Sequence, residues 1–337
     1  MMRERATIRE VAERAGVSRA AVSKVLRDAY GVSDAMRKRV GEAIDALAYR
    51  PQIAARGLRG STDTLGVILP EFSNPFFFFV FDGIGRRIAS TRYQPLLGVR
   101  PTAHDTERAI VETMLDRKLD GLIMIPVRLD LGYLSELAAR VPLVVIGDHS
   151  RGGGYDSVNG DDALGARMAV EHLIDQGHAR IAFCALPPDM ADPTNPSSMR
   201  RDSYKRTMQE RGLSAEVNVI DVSEGSTRAR DFDALRNALS AANRPSAIVA
   251  WTDSAALLAI EAAMSLGLSV PGDLAVVGYD DSPMSGHPLV GLSSVNQSGD
   301  RLGELAADAL IERLAGRAEE RHDVLIPKLV ARASSRG

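Results

Sequence analysis

Eight polar or aromatic residues follow short apolar stretches of the chain and could together bind a small molecule. They are Asn74, Phe76, Arg100, Asp148, Arg200, Trp251, Thr252 and Asp280. Carboxylates and an arginine that converge on a cleft suit the hydroxyl groups of a sugar or the edge of a nucleobase, and an aromatic ring supplies an apolar face. Taken singly, each residue could instead cap a helix or pair at the surface. Asp253 is a predicted helix N-cap, and Trp251 could equally pack in a core.

A second group of candidate residues lies in two short predicted helices near the N-terminus, joined by Gly16-Val17-Ser18. Thr7 and Glu10 have the spacing of a capping box, and Ser18 can cap the second helix. Two short helices with a glycine in the turn indicate a helix-turn-helix unit. A third helix is predicted from Ser33 to Pro51.

The second helix of such a unit enters the major groove of DNA, and residues near its start reach the base edges. In this chain those residues are Arg19 and Ala20, followed one turn later by Ser23 and Lys24. Arginine can make a bidentate contact to guanine, and alanine can contact a thymine methyl group. We expect Thr7, Ser18 and Lys24 to contact phosphates. The alternative is a small protein-binding module with a solvated basic face.

The charges are distributed unevenly along the 337 residues, although the net charge is only −3. Residues 1–60 contain 13 Lys and Arg against 7 Asp and Glu, and the remainder contains 28 against 37. A basic module joined to an acidic body indicates that the module meets a polyanion. We expect a cytoplasmic protein. The sequence has a single cysteine, Cys184, and it has neither a signal peptide nor an apolar run of about 18 residues.

Between these parts lies the stretch from Tyr49 to Gly60, which reads as a short basic helix. Pro51 suits its first turn and Gly60 suits its end. A helix this short is marginal alone in water, so the pattern indicates that something else must hold it.

From residue 61 onward, short apolar runs alternate with amphipathic stretches. The strands of a first series are predicted at Leu65–Leu69, Pro95–Val99, Gly121–Ile125 and Pro142–Ile146, and its helices near 76–90, 104–117 and 131–139. A second series has strands at Arg180–Cys184, Val217–Ile220, Ala247–Ala250 and Leu274–Val277, and helices near 162–176, 198–212, 228–242 and 254–266. This alternation predicts two parallel sheets covered by helices, and ligands of such sheets bind at the carboxyl ends of the strands.

Motifs for other chemistry are missing from the sequence. The six histidines are dispersed without metal-ligand spacing, and no GxSxG or Walker A motif occurs. Gly152-Gly153-Gly154 precedes a strand and reads as a loop, and Cys184 reads as a core thiol. We therefore expect no cofactor, no metal and no enzymatic activity.

The segment from Ala6 to Leu26 resembles the N-terminal signature of the LacI/GalR family of bacterial repressors. Tyr49-Arg50-Pro51 and Ala55-Arg56-Gly57-Leu58 resemble the hinge of that family. Further similar motifs are spread over the body, and they are Asn74–Phe77, Gly121–Ile123, Gly177–Ile181, Val277–Asp281 and Gln297.

The resemblance implies a three-helix helix-turn-helix headpiece at 1–49, a hinge helix or linker at 50–61, and an effector-binding and dimerisation body at 62–337. The implied body is a two-lobed α/β unit similar to periplasmic binding proteins, with two Rossmann-like parallel-sheet subdomains. We assign its first lobe to about 62–160 plus 283–296 and its second lobe to about 161–282 plus 297–330.

The resemblance also implies roles for individual residues. Asp148, Arg200 and Asp280 match family positions that contact the effector. In the hinge, Leu58 matches a wedge in the minor groove, Gln52 and Ala55 lie near the groove, and Arg56 lies near phosphates. Thr252-Asp253 departs from the Asn-Asp of many members, which leaves the effector open between sugars and related metabolites.

The partners implied are a roughly palindromic operator, a small effector, usually a sugar or a nucleobase, and a second copy of the chain. Because the sequence ends soon after Arg332 without a leucine heptad, we expect a dimer. The implied function is effector-controlled repression by a cytoplasmic protein that associates with the nucleoid when bound and not with membranes. The rivals are a solute-binding protein of a sugar transport system and an α/β enzyme.

Overall fold

The computed structural model describes residues 6–26, 29–49, 61–99, 105–125, 131–186, 194–222 and 228–336, and these divide into two compact units at Thr62. The side chains of Asp105 and Thr106 are outside this description. No helix in the described ranges is long and apolar enough to cross a membrane.

The N-terminal unit contains three helices, α1 (Ile8–Ala15), α2 (Arg19–Leu26) and α3 (Asp34–Leu47). The predicted capping box forms, because the Thr7 hydroxyl accepts the Glu10 amide and the Glu10 carboxylate accepts the Thr7 amide. Gly16 has a φ of 65°, which turns the chain sharply between α1 and α2. The core consists of Val11, Ala12, Ala15, Val22, Val40 and Ala43. The prediction that Pro51 ends α3 is wrong, because the helix stops at Leu47 with Ala48 in the left-handed conformation.

The second unit is built on two six-stranded sheets, one in each lobe. The first sheet contains β1 (Thr64–Leu69), β2 (Gln94–Val99), β3 (Gly121–Met124), β4 (Leu143–Ile146), β5 (Asp156–Gly160) and β11 (His322–Leu325). Its order is β11-β5-β4-β3-β1-β2, and every described pair in it is parallel. Its helices are α4 (Phe76–Ile88), α5 (Asp105–Asp116) and α6 (Leu131–Ala138).

The second sheet contains β6 (Ile181–Ala185), β7 (Asn218–Asp221), β8 (Ala247–Ala250), β9 (Ala275–Tyr279), β10 (Ser293–Asn296) and β12 (Lys328–Val330). Its order is β12-β10-β9-β8-β6-β7, and only the pair β10–β12 is antiparallel. Its helices are α7 (Asp162–Asp175), α8 (Pro196–Glu210), α9 (Arg228–Ser240) and α10 (Asp253–Ser265). Helices α4 to α10 lie within about two residues of the bounds that the sequence predicts.

The chain passes between the two lobes three times, after β5, after β10 and after β11. The predicted division of the C-terminal third is wrong, because β10 pairs with β9 in the second sheet and β11 pairs with β5 in the first. Helix α11 (Gly299–Leu314) packs against α4 of the first lobe. Their approach is close, since a Cβ atom at Gly303 would lie 2.0 Å from the carbonyl oxygen of Val80.

Candidate functional site: a cavity between the lobes

A cavity opens between the lobes, and six of the eight predicted residues line it. They are Asn74, Phe76, Arg200, Trp251, Thr252 and Asp280. They meet because most of them follow parallel strands, whose carboxyl ends face the same edge of a sheet. Asn74 lies between β1 and α4, Phe76 is the first residue of α4, Trp251 and Thr252 follow β8, and Asp280 follows β9.

Arg200 is the central cation of this cavity, with a side chain that is 5% exposed. Its Nε donates to Oδ1 of Asp162 over 2.6 Å, Nη1 donates to the carbonyl oxygen of Trp251 over 2.6 Å, and Nη2 donates to Oε1 of Gln297 over 3.2 Å. The guanidinium also lies over the ring of Tyr279, 3.6 Å from its centroid. Three of the five N–H groups thus have acceptors among the described residues, and two are left to donate to a ligand.

Asp280 lies at the end of the same hydrogen-bonded network. Its Oδ1 accepts from Nε2 of Gln297 over 2.6 Å, and its Oδ2 accepts from Nδ2 of Asn74 over 3.0 Å. Asn74 is held in turn by the amide of Phe76, which donates to its Oδ1. Asp280 has a φ of 106°, a strained conformation that sets its carboxylate at the point where β9 ends.

The two buried carboxylates of the network differ in protonation. Burial alone would raise the pKa of Asp162, but the charge of Arg200 and the hydrogen bond from His149 outweigh burial and hold the pKa below its usual value. Burial raises the pKa of Asp280 to about 7, although the charge of Arg200 opposes this shift. Asp162 is therefore the counter-ion of Arg200, and Asp280 can act as a donor or an acceptor near neutral pH.

The raised pKa of Asp280 predicts how stability depends on pH. The folded protein retains a proton on this group between its unfolded pKa of about 4 and its folded pKa of about 7. The contribution of Asp280 to the free energy of unfolding should therefore fall as pH rises through this window, by up to about 1.4 kcal/mol per pH unit. Urea unfolding of the wild type and of Asp280→Asn across pH 4–7 tests this.

Across pH 4–7 the free energy of unfolding of Asp280→Asn should fall less, or rise more, than that of the wild type, whatever its absolute stability. Other buried groups act alike in both proteins: the raised pKa of Asp253 adds to the fall, and the lowered pKa values of His172 and His178 oppose it. Equal slopes in the two proteins would contradict the shift at Asp280.

Asp148 does not line the cavity, contrary to the prediction for it. Its Oδ1 accepts the amide of Ser150 over 2.9 Å, and its Oδ2 accepts the hydroxyl groups of Ser150 and Tyr155 over 2.7 and 2.8 Å. These three donors turn the carboxylate into the loop after β4, where it holds the chain in place. Asp148 is therefore a structural residue of the first lobe in this arrangement.

Asp253 is not the N-cap of α10, because Thr252 occupies that position and its Oγ1 accepts the amide of Ala255. The buried Asp253 carboxylate instead accepts the amide of Ser282 and the hydroxyl groups of Ser285 and Ser294. Thr252 lines the cavity with its hydroxyl hydrogen still able to donate.

Three further polar residues line the cavity without having been predicted to do so, namely Asn195 before α8, Asp162 and Gln297. Asp162 follows β5, and Gln297 follows β10. Both strands are short and carry polar residues, so they lack the apolar run by which the other strands were predicted. A search for polar residues after strands would have found both had these strands been recognised.

Trp251 lines the cavity and also carries a buried polar atom. Its Nε1 is buried and has no hydrogen-bond acceptor in the described part of the chain. A buried donor without an acceptor is costly, so an acceptor that came within reach of this N–H would be stabilising.

The predicted DNA-contacting residues of the headpiece lie mainly on its surface. Thr7, Ser18, Arg19, Ala20 and Lys24 are exposed, and Ser23 is partly exposed. The Ser18 hydroxyl accepts the amide of Ala21. The Thr7 hydroxyl also donates to Glu10 over 2.7 Å, so a phosphate would compete with that contact.

The remaining predicted site residues lie outside the described residues. They are Arg100 in the body and Gln52, Ala55, Arg56 and Leu58 in the hinge.

Comparison with known proteins gives two family matches, "Bacterial regulatory proteins, lacI family" at residues 7–52 and "Periplasmic binding protein-like domain" at residues 170–335. The ribose operon repressor of Escherichia coli K12 is 31% identical over 338 residues, which cover 98% of this chain and 100% of the relative. A lac repressor dimer bound to operator and the anti-inducer ONPF is 25% identical, with a TM-score of 0.82 over 99% of this chain and 100% of that one. A complex of the transcriptional regulator CelR with cellobiose is 29% identical, with a TM-score of 0.71 over 98% and 100%.

Proposed function

Because the chain belongs to the LacI family of bacterial transcriptional regulators, we propose that it represses transcription from a roughly palindromic operator under the control of a small effector. The observation that carries the proposal is the cavity between the lobes, where Arg200 and Asp280 converge within one hydrogen-bonded network. A ligand in this position contacts both lobes at once. It can therefore favour one arrangement of the lobes over another, which is the condition for allosteric control.

We propose an uncharged polyhydroxyl effector, most simply a sugar. Arg200 already has a counter-ion in Asp162, so an anionic ligand would gain little from it. The Arg200 guanidinium can donate to hydroxyl oxygens, and Asp280 can accept from a hydroxyl group. Phe76 supplies an apolar face for a sugar ring. The ribose operon repressor and the cellobiose complex among the similar proteins support this class.

The role of a transport-system binding protein is less consistent with the chain. Such a protein needs only the two-lobed body, whereas this chain also carries the headpiece matched at residues 7–52. The exposed start of α2 is free to enter a major groove, and this feature has no use in solute transport.

We propose a homodimer, because two headpieces related by a two-fold axis match a palindromic operator. The similarity to the lac repressor dimer supports this assembly. In the homodimer bound to its operator, the hinge would meet the minor groove through Gln52, Ala55, Arg56 and Leu58. The hinge helix would form only when DNA and the partner subunit hold it. Movement of the lobes would then melt or restore this helix and so act as the switch.

The DNA half of the proposal is tested by gel retardation with the DNA that flanks the gene. We expect binding that prefers that sequence over an unrelated fragment and that weakens steeply with salt. Binding of equal strength to both fragments would contradict it. The effector half is tested by a thermal-shift screen of sugars and nucleobases, in which a sugar should raise the melting temperature.

Two exposed residues of α2 should have different effects on operator choice. Arg19→Ala should cost about 1–3 kcal/mol on the preferred operator and relax the preference at one base position. Lys24→Ala should weaken binding to all sequences alike. It should also reduce the slope of the logarithm of the binding constant against the logarithm of the salt concentration by about one. A binding assay on single-base operator variants distinguishes them, and an equal loss on every sequence from Arg19→Ala would remove its role as a base reader.

A further inference from the structure

A chain of six hydrogen-bonded side chains crosses the cavity and begins and ends on the first lobe. Its members, in order, are Asn74, Asp280, Gln297, Arg200, Asp162 and His149. Asn74 and His149 belong to the first lobe, since they follow β1 and β4. Asp280 and Arg200 belong to the second lobe, and Gln297 and Asp162 lie where the chain crosses between lobes.

His149 differs from the other five members because it does not line the cavity. Its ring Nε2 lies 2.7 Å from Oδ2 of Asp162, and the side chain is only 13% exposed. The Asp162 carboxylate is ionised beside Arg200, so Nε2 must be the donor in this contact. The His149 amide also donates, at 3.5 Å, to the carbonyl oxygen of Thr194, just before α8 of the second lobe.

The two oxygens of Asp162 have separate tasks. Oδ1 accepts from Arg200 within the second lobe, and Oδ2 accepts from His149 on the first. No other donor to Oδ2 occurs in the described ranges. Without the imidazole, one oxygen of a carboxylate that is 2% exposed would lack a partner, which is costly for a buried charge.

We propose that His149 is a positioning residue that ties Asp162, and through it Arg200, to the first lobe. The tether sets the spacing of the lobes, and it fixes the guanidinium to which a ligand would bind. Asn74 makes the matching side-chain link through Asp280, so two side chains of the first lobe hold the network to the second. The importance of lobe spacing for regulation rests on the proposed function, but the tether itself does not.

The test measures the distance between the lobes in the full-length protein without sugar or DNA. Spin labels are attached to cysteines introduced as Glu136→Cys on α6 and Gln209→Cys on α8, which are exposed positions on different lobes. Cys184 is fully buried and burial raises the pKa of its thiol to about 12, so it should not react. Labelled protein is diluted with unlabelled protein, so that pulsed electron paramagnetic resonance reports distances between the two labels of one chain.

His149→Phe should give a longer and broader distance distribution than the parent, because it fills the space without donating. His149→Gln should restore the parent distribution, because its Nε2 can donate from a similar position. The matched control is His172→Phe, which removes a hydrogen bond to Ser335 and should leave the interlobe distance unchanged. Should His149→Phe fail to fold, His149→Ala takes its place.

An unchanged distribution in His149→Phe or His149→Ala would overturn the tether. Equal shifts in the Phe and Gln variants would overturn the hydrogen bond as its basis. The distance measurement contains neither ligand nor DNA. A negative result would therefore contradict the tether without contradicting the proposed effector or operator, and a failure to find an effector or an operator would not contradict the tether.

Discussion

Arg200→Ala should abolish the response of operator binding to the effector and leave operator binding itself intact. The side chain holds Asp162, Gln297 and the carbonyl oxygen of Trp251 together, and it has two N–H groups left for a ligand. Its loss removes both the ligand contact and the link between the two crossings of the chain. The headpiece is a separate compact unit with its own core, so its contacts with DNA do not depend on this side chain.

The substitution also leaves the Asp162 carboxylate buried without its cation, at a cost of about 3–5 kcal/mol in the free energy of unfolding. The assay is therefore run well below the melting temperature of the variant, with operator affinity measured at several effector concentrations. Arg206→Ala is the matched control, because Arg206 lies on the same helix with an exposed side chain. An effector response that persists in Arg200→Ala would exclude Arg200 from ligand binding.

Leu58→Ala should weaken binding to the specific operator far more than it weakens folding. An apolar wedge that opens a base step contributes only in the kinked, specific complex, so its loss should cost about 1–3 kcal/mol there. This corresponds to roughly ten- to a hundredfold in affinity. Binding to unrelated DNA depends on phosphate contacts and should change little.

The measurement compares affinities for specific and unrelated DNA with the melting temperature of the same variant. Leu289→Ala is the control, because Leu289 is an apolar residue of the body that is 91% exposed. An equal loss on both DNAs, or a large fall in melting temperature, would remove Leu58 as the wedge.

Much of the fold could be predicted because the strands that form the sheet centres carry uninterrupted apolar residues. Val144 and Ile248, for example, are fully buried in strands that the sequence predicted closely. The strands near the crossings are different. β10 reads Ser-Ser-Val-Asn and β11 reads His-Asp-Val-Leu, so their pairing partners, rather than their composition, make them strands. The lobe boundaries depend on these two strands, and this is why the predicted division failed.

The candidate cavity was predictable only as far as its strands were. Asp148 follows a well-predicted strand, but its carboxylate turns back to Ser150 and Tyr155. A residue that follows a strand has its backbone at the edge of the sheet. The direction of its side chain, however, depends on which hydrogen-bond donors lie nearby. Asp162 was not predicted because the strand before it, expected after Gly154, has no apolar run that marks its end, and it is Asp162 that neutralises Arg200.

The most direct test of the account is the affinity of the full-length protein for fluorescently labelled DNA from upstream of its own gene. Anisotropy is measured with and without the sugar that gives the largest thermal shift. Specific, salt-dependent binding is expected, with a Kd that changes by about fivefold or more at saturating sugar. The same Kd with and without a sugar that binds the body would contradict it.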